Sequence, residues 1–154
     1  TLIRKLRAAV PEITISTDII VGFPGETEED FEETLSLVKE VGYDSAFTFL
    51  YSIRKGTPAA EYEDQIPEDI KHERFNRLVD LINEGSAAKN AAYVGRIERV
   101  LVEGFSKKND ETLTGRTDGF KLVDFEGPKE LIGQIVDVEI TEGKTFSLTG
   151  KLAE

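Results

Sequence analysis

The chain has 154 residues, 39% apolar and 32% charged, with a formal net charge of −11 at pH 7. That is enough for one ordinary domain or two small ones, and the bulk negative charge argues against non-specific attraction to nucleic acid while leaving room for a local basic face. Cysteine is absent and histidine occurs once, at His72, which excludes disulfides, thiolate catalysis and thiolate metal sites within these residues and disfavours a histidine-rich metal centre or a serine–histidine triad.

In chain order, residues 3–10 (IRKLRAAV) carry a helical pattern that Pro11 stops. No apolar run approaches the ~20 residues of a membrane helix, and the opening TLIRKLRAAVPEI lacks the apolar core of a signal peptide. A cytoplasmic location without membrane association is therefore expected. With no methionine and a start that reads as the tail of a helix, the chain is expected to be a piece of a longer protein.

Residues 13–22 (ITISTDIIVG) are rich in β-branched residues and read as a strand, covered on both faces where the run turns apolar. A helix over 28–41 follows, with Thr27 as N-cap, Asp30 placed for a near capping box, acids in the first turn, an apolar face of Phe31, Leu35 and Val38, and Gly42 just past its end. Residues 44–51 (DSAFTFLY) read as a second buried strand, so the order is that of a parallel α/β sheet. A loop spans 52–66. Pro67 then opens a long helix to about residue 91, with Gly85 weakening its end.

The remainder changes character. Strand-like runs at 96–103, 112–117, 120–125, 131–141 and 145–152, separated by turn signals such as Asp118-Gly119, predict a small five-stranded barrel of the oligonucleotide-binding kind. The domain boundary falls near residue 92, giving 1–92 and 93–154.

Two readings of the GFPGET turn at 22–27 stand open on these grounds. It is either a tight strand-to-helix turn without a ligand, or a site where Gly22 and Gly25 let backbone approach one, at the strand end where parallel α/β folds bind ligands. The acid run from Glu26 to Glu33 reads as helix capping rather than a calcium loop, His72 as a solvent-exposed residue, and Arg54 and Lys55 as loop cations or cofactor neighbours.

DIIVGFPGETEEDF (18–31) resembles the fifth-strand segment of radical S-adenosylmethionine enzymes, and AFTFLYSIRKGTPAA (46–60) is similar to the sixth strand and following loop of the methylthiotransferases among them. LVEGFSKKN (101–109), LTGRTDGFK (113–121), LIGQIVDVEIT (131–141) and KTFSLTG (144–150) resemble the TRAM domain joined to those enzymes. The resemblance implies the C-terminal part of a radical S-adenosylmethionine domain, a partial TIM-like α/β barrel, followed by an all-β five-stranded OB-like TRAM barrel. It implies a role in methylthiolating carbon 2 of isopentenyl-adenosine in the tRNA anticodon stem-loop.

Carried over residue by residue, it assigns Asp18 to the ribose hydroxyls of S-adenosylmethionine, Ile20 to its adenine and Gly22 to the strand end, with Phe49 and Tyr51 on the adenine side. Core packing is the alternative for Ile20 and Phe49. On the TRAM barrel it points to Lys107, Lys108, Arg116, Lys121 and Lys144 for RNA phosphate and to Phe120 or Phe146 for base stacking. Each lysine taken singly reads as a solvated loop charge and Phe146 as core, whereas the set, Arg116 and Lys121 above all, reads as an RNA face.

The family's two 4Fe–4S clusters need cysteines that this chain lacks, so no catalytic residue or metal ligand is expected within it and the chain alone is expected to be inactive. Open strand edges imply self-association or loose packing of residues 1–66. The rival readings are an RNA-binding module without catalysis, a structural interaction protein, and a sister enzyme acting on threonylcarbamoyl-adenosine or a ribosomal protein.

Overall fold

The computed structural model describes residues 2–107 and 111–153. They form two compact units, residues 15–85 and the residues up to 14 together with 86 onward.

In the first unit, β1 (Ser16–Val21) and β2 (Ser45–Leu50) pair in parallel, with Asp18 opposite Phe47 and Ile20 opposite Phe49. Helix α2 (Glu28–Val41) connects them. Its start is set locally: the Thr27 hydroxyl accepts the Asp30 amide while the Asp30 carboxylate accepts the Thr27 amide, a complete capping box. Gly42 ends it in the left-handed conformation, donating to the Val38 carbonyl. Phe31, Leu35 and Val38, the predicted apolar face, pack with Val21 and Leu78 into one core. Leu78 comes from α3 (Glu68–Ala91), which runs on through Gly85 without a break; the expected fraying of its last turns is not seen.

Both strands depart from the expected two-sided burial. Their side chains alternate between a face toward the core and an open face that carries Asp18, Ile20, Phe47 and Phe49. An unbroken apolar run marks a strand without marking which side is covered.

The second unit holds α1 (Leu2–Ala9) and a closed barrel of β3 (Ile97–Phe105), β4 (Thr112–Thr117), β5 (Leu122–Glu126), β6 (Ile135–Gly143) and β7 (Leu148–Leu152). The strands close in the order β3-β4-β5-β7-β6, with β5 and β7 parallel and the other pairs antiparallel. Inward-facing Val100, Val102, Leu113, Val123, Phe125, Val138, Ile140 and Leu148 fill the interior, one set of alternate positions from every strand. The expected strand from 131 begins only at Ile135, because 129–131 form a short 3-10 turn. The expected strand at 13–22 likewise starts late. Thr14 instead bonds the Gly119 carbonyl through its hydroxyl at 2.8 Å, within the barrel unit.

Candidate functional site

On the open face of β1 and β2 a carboxylate stands in apolar surroundings. Asp18 lies across from Phe47, and Ile20 across from Phe49. Ile20 is 56% exposed, Phe47 63% and Phe49 51%. In-register neighbours on adjacent strands are ~4.8 Å apart, so the four side chains form one continuous patch. Ile20 and Phe49 are not core residues here. Phe47, which the sequence reading left out, belongs to the same patch; its even spacing with Phe49 on one strand was the signal. A face of this kind accepts hydrogen bonds from hydroxyls at one end and offers a flat apolar surface at the other.

The GFPGET turn closes the end of that face. Gly22 is left-handed at φ 77°, and an added Cβ would collide with the Lys71 side chain. The Gly22 amide donates to the Glu26 carboxylate at 3.1 Å, and the same carboxylate accepts from Arg74 at 2.9 Å. Arg74 is 5% exposed and also bonds the Glu26 carbonyl and the Glu28 carboxylate. Lys71 is buried and donates to the Tyr51 carbonyl just beyond β2 at 3.2 Å. Lys71 and Arg74 of α3 thus fix the ends of both strands, a role with no local sequence signal. Tyr51 packs edge-on against Phe23 at 5.2 Å, and its buried hydroxyl has no hydrogen-bond partner among the described residues.

Within the acid run, Asp30 caps the helix as expected, whereas Glu26, Glu28 and Glu32 pair with arginines of α3, which the sequence did not indicate. Thr27 holds the Asp30 carboxyl below its ordinary value through its amide and hydroxyl. Arg77, then Arg74, do the same for Glu28. The Arg77 guanidinium also lies over the Phe31 ring at 5.0 Å and pairs with Glu32. Among the described residues no group of acids or histidine is placed to hold a metal ion. His72 is exposed, with Nδ1 donating to the Glu68 carbonyl.

On the barrel, the residues proposed to face RNA divide. Arg116 lies on the outer surface of β4, its guanidinium 4.5 Å over the Phe120 ring and 3.6 Å from the Glu103 carboxylate. Phe120 is 73% exposed and Phe146 78%, so Phe146 is not core. Lys107 is exposed, and Lys144 pairs with Glu142 at 3.1 Å. Lys108 lies outside the described residues. Lys121 departs most from expectation: it is buried, and its ammonium donates to the Asn90 side chain at 2.9 Å and lies over the Tyr93 ring. Its partner is thirty-one residues away in sequence, where no local pattern reveals it. Nearby, burial pushes the Glu98 carboxyl up; Arg96 opposes this, while Asp118 and Glu12 reinforce it.

Comparison with known proteins bears on both units. Residues 91–153 match the TRAM domain family model. A protein of Clostridium botulinum strain Hall named tRNA-2-methylthio-N(6)-dimethylallyladenosine synthase is 65% identical over 150 residues, covering 97% of this chain and 33% of its own length. Proteins of the same name from C. botulinum strain Alaska E43 and Clostridium novyi strain NT are 61% and 57% identical, over 99% of this chain and 34% of their own length. The chain spans about a third of the length of the curated relatives it matches. Residues 91–153 thus match the TRAM domain family, on a chain that is similar, nearly throughout, to about a third of a tRNA-2-methylthio-N(6)-dimethylallyladenosine synthase.

Proposed function

We propose that the chain is part of a cytoplasmic tRNA methylthiotransferase acting on carbon 2 of dimethylallyl-adenosine in the anticodon stem-loop. Residues 15–85 supply part of an S-adenosylmethionine pocket, and the barrel binds the tRNA. The observation that carries this reading is identity of 57% to 65% running through both units, not through the TRAM domain alone, with proteins bearing that enzyme's name.

The open face of β1 and β2 fits such a cofactor. Asp18 offers a carboxylate to a vicinal diol, Ile20, Phe47 and Phe49 offer an apolar surface to a purine, and the left-handed Gly22 keeps side-chain bulk away from the strand end. The Tyr51 hydroxyl is an unused polar group beside this turn. When bound, S-adenosylmethionine supplies the methyl and radical chemistry; these residues bind and orient it. An iron–sulfur cluster does not fit here, because no residue is a cysteine. On this reading the two 4Fe–4S clusters, and the other strands of a partial α/β barrel, belong to the part of the relatives' length outside the match. Without those strands, the open edges of β1 and β2 favour self-association.

The test is cofactor affinity in the whole enzyme. Asp18→Ala is expected to raise the Kd for S-adenosylmethionine by about tenfold or more, the loss of hydrogen bonds to a charged acceptor. The melting temperature stays unchanged, since Asp18 is exposed. An unchanged Kd would remove Asp18, and with it the assigned face, from the cofactor site.

A further inference from the structure

We infer that the TRAM barrel holds unpaired RNA bases by stacking them on two phenylalanines, Phe120 and Phe146, whose turns are tied to a single buried side chain, Asn90. The inference rests on the reading of the barrel as RNA-binding and states what part of RNA it grips.

The two rings belong to different hairpins, yet their neighbours meet at one place. Asn90 is 3% exposed in the last turns of α3. Its amide nitrogen donates to the Lys144 carbonyl at 2.6 Å and the Thr145 carbonyl at 3.2 Å, the residues directly before Phe146. Its amide oxygen accepts from the Lys121 ammonium, the residue directly after Phe120. One carboxamide therefore fixes the β4–β5 and β6–β7 turns together. Backbone of α3 also sits so close to Gly143 that a side chain there would strike it.

The backbone of Phe120 gives an independent sign. Thr117 accepts the Phe120 amide, closing a tight turn, and Phe120 then takes φ 62°. In this type of hairpin the left-handed position after the turn is ordinarily glycine, and a bulky residue there is strained. Gly119, one residue earlier, is not left-handed; it is small because Thr14 packs against it. The chain therefore keeps a strained, solvent-facing phenylalanine where glycine would relax the turn. Arg116 backs that ring with its guanidinium, as in a stacking platform for a nucleobase.

Charge decides between bases and phosphates as the main grip. Near the two rings, Lys121 is buried on Asn90, while Arg116 and Lys144 each pair with a glutamate. Cations so engaged neutralise few phosphates beside the rings, so stacking carries the affinity there.

The experiment uses the 154-residue chain, a short single-stranded RNA carrying 2-aminopurine, and a blunt RNA duplex of the same sequence. The expected result is binding of the single strand in preference to the duplex, a change in 2-aminopurine fluorescence, and a shallow salt dependence, with a log–log slope of magnitude below about 2. Phe120→Gly and Phe146→Ala each weaken binding by about fivefold or more without lowering the melting temperature, and Phe120→Tyr restores it. Asn90→Ala lowers affinity and removes the fluorescence change. Equal binding of both RNAs with unaltered affinity in the variants would overturn base stacking while leaving the barrel an RNA-binding domain. Binding of neither RNA would overturn both.

Discussion

Arg74→Met is expected to destabilise residues 15–85 by about 3–5 kcal/mol, the usual cost of leaving one member of a buried ion pair without its partner. Arg74 is almost wholly buried, and its guanidinium meets the Glu26 carboxylate at 2.9 Å and the Glu26 carbonyl at 3.0 Å. The Glu26 side chain is itself only 14% exposed. Methionine fills much of the same volume but leaves a carboxylate facing apolar atoms, with the Gly22 amide as its remaining tie to the turn. Urea unfolding followed by circular dichroism measures the loss. The double variant Arg74→Met, Glu26→Gln should recover a large part of it, because the stranded charge is gone. A single-variant cost below about 1 kcal/mol would show the pair to be solvated and the turn to be held by other contacts. On the proposed cofactor reading, the same substitution should also raise the Kd for S-adenosylmethionine in the whole enzyme, since the turn it holds lies at the end of the open face of β1 and β2.

Phe125→Ala is expected to cost the barrel about 3–5 kcal/mol, as large-to-small changes in a packed core do. Phe125 lies on β5, 1% exposed, among Val100, Leu113, Ile140 and their neighbours. A small domain has only about 5–15 kcal/mol in reserve, so this one change brings the barrel close to unfolding. The core around Phe31 and Leu78 shares no residue with it. The expected unfolding profile is therefore an early loss of the barrel transition with the transition of residues 15–85 retained. Simultaneous loss of both at the same denaturant concentration would contradict two separate cores.

What could be read from the sequence was what local chemistry fixes. Helix α2 has the predicted bounds because Thr27, Asp30 and Gly42 specify its ends within a few residues. The barrel strands are visible because strand-like runs are separated by turn residues such as Asp118-Gly119. The rest depends on contacts distant in sequence. Lys121, after Gly-Phe, reads as part of an RNA face until its ammonium is seen buried against Asn90. Phe146 falls in the expected strand at 145–152, but β7 begins only at Leu148 and leaves Phe146 exposed in the turn before it. The apolar end of the 13–22 run and the 44–51 run read as buried strands, whereas one face of each is open. That face carries Asp18, Ile20 and Phe49, the residues that the resemblance had singled out, so the misread burial and the candidate site are the same feature.

A chain that works within a tRNA methylthiotransferase, as proposed above, must leave a mark on tRNA when it is lost. The most direct test is mass analysis of tRNA nucleosides from cells in which the gene encoding it is deleted. The expected result is accumulation of N6-dimethylallyl-adenosine without its 2-methylthio group, with the methylthio group restored by the intact gene and not by one carrying Asp18→Ala. An unchanged level of the methylthiolated nucleoside in the deletion strain would contradict it.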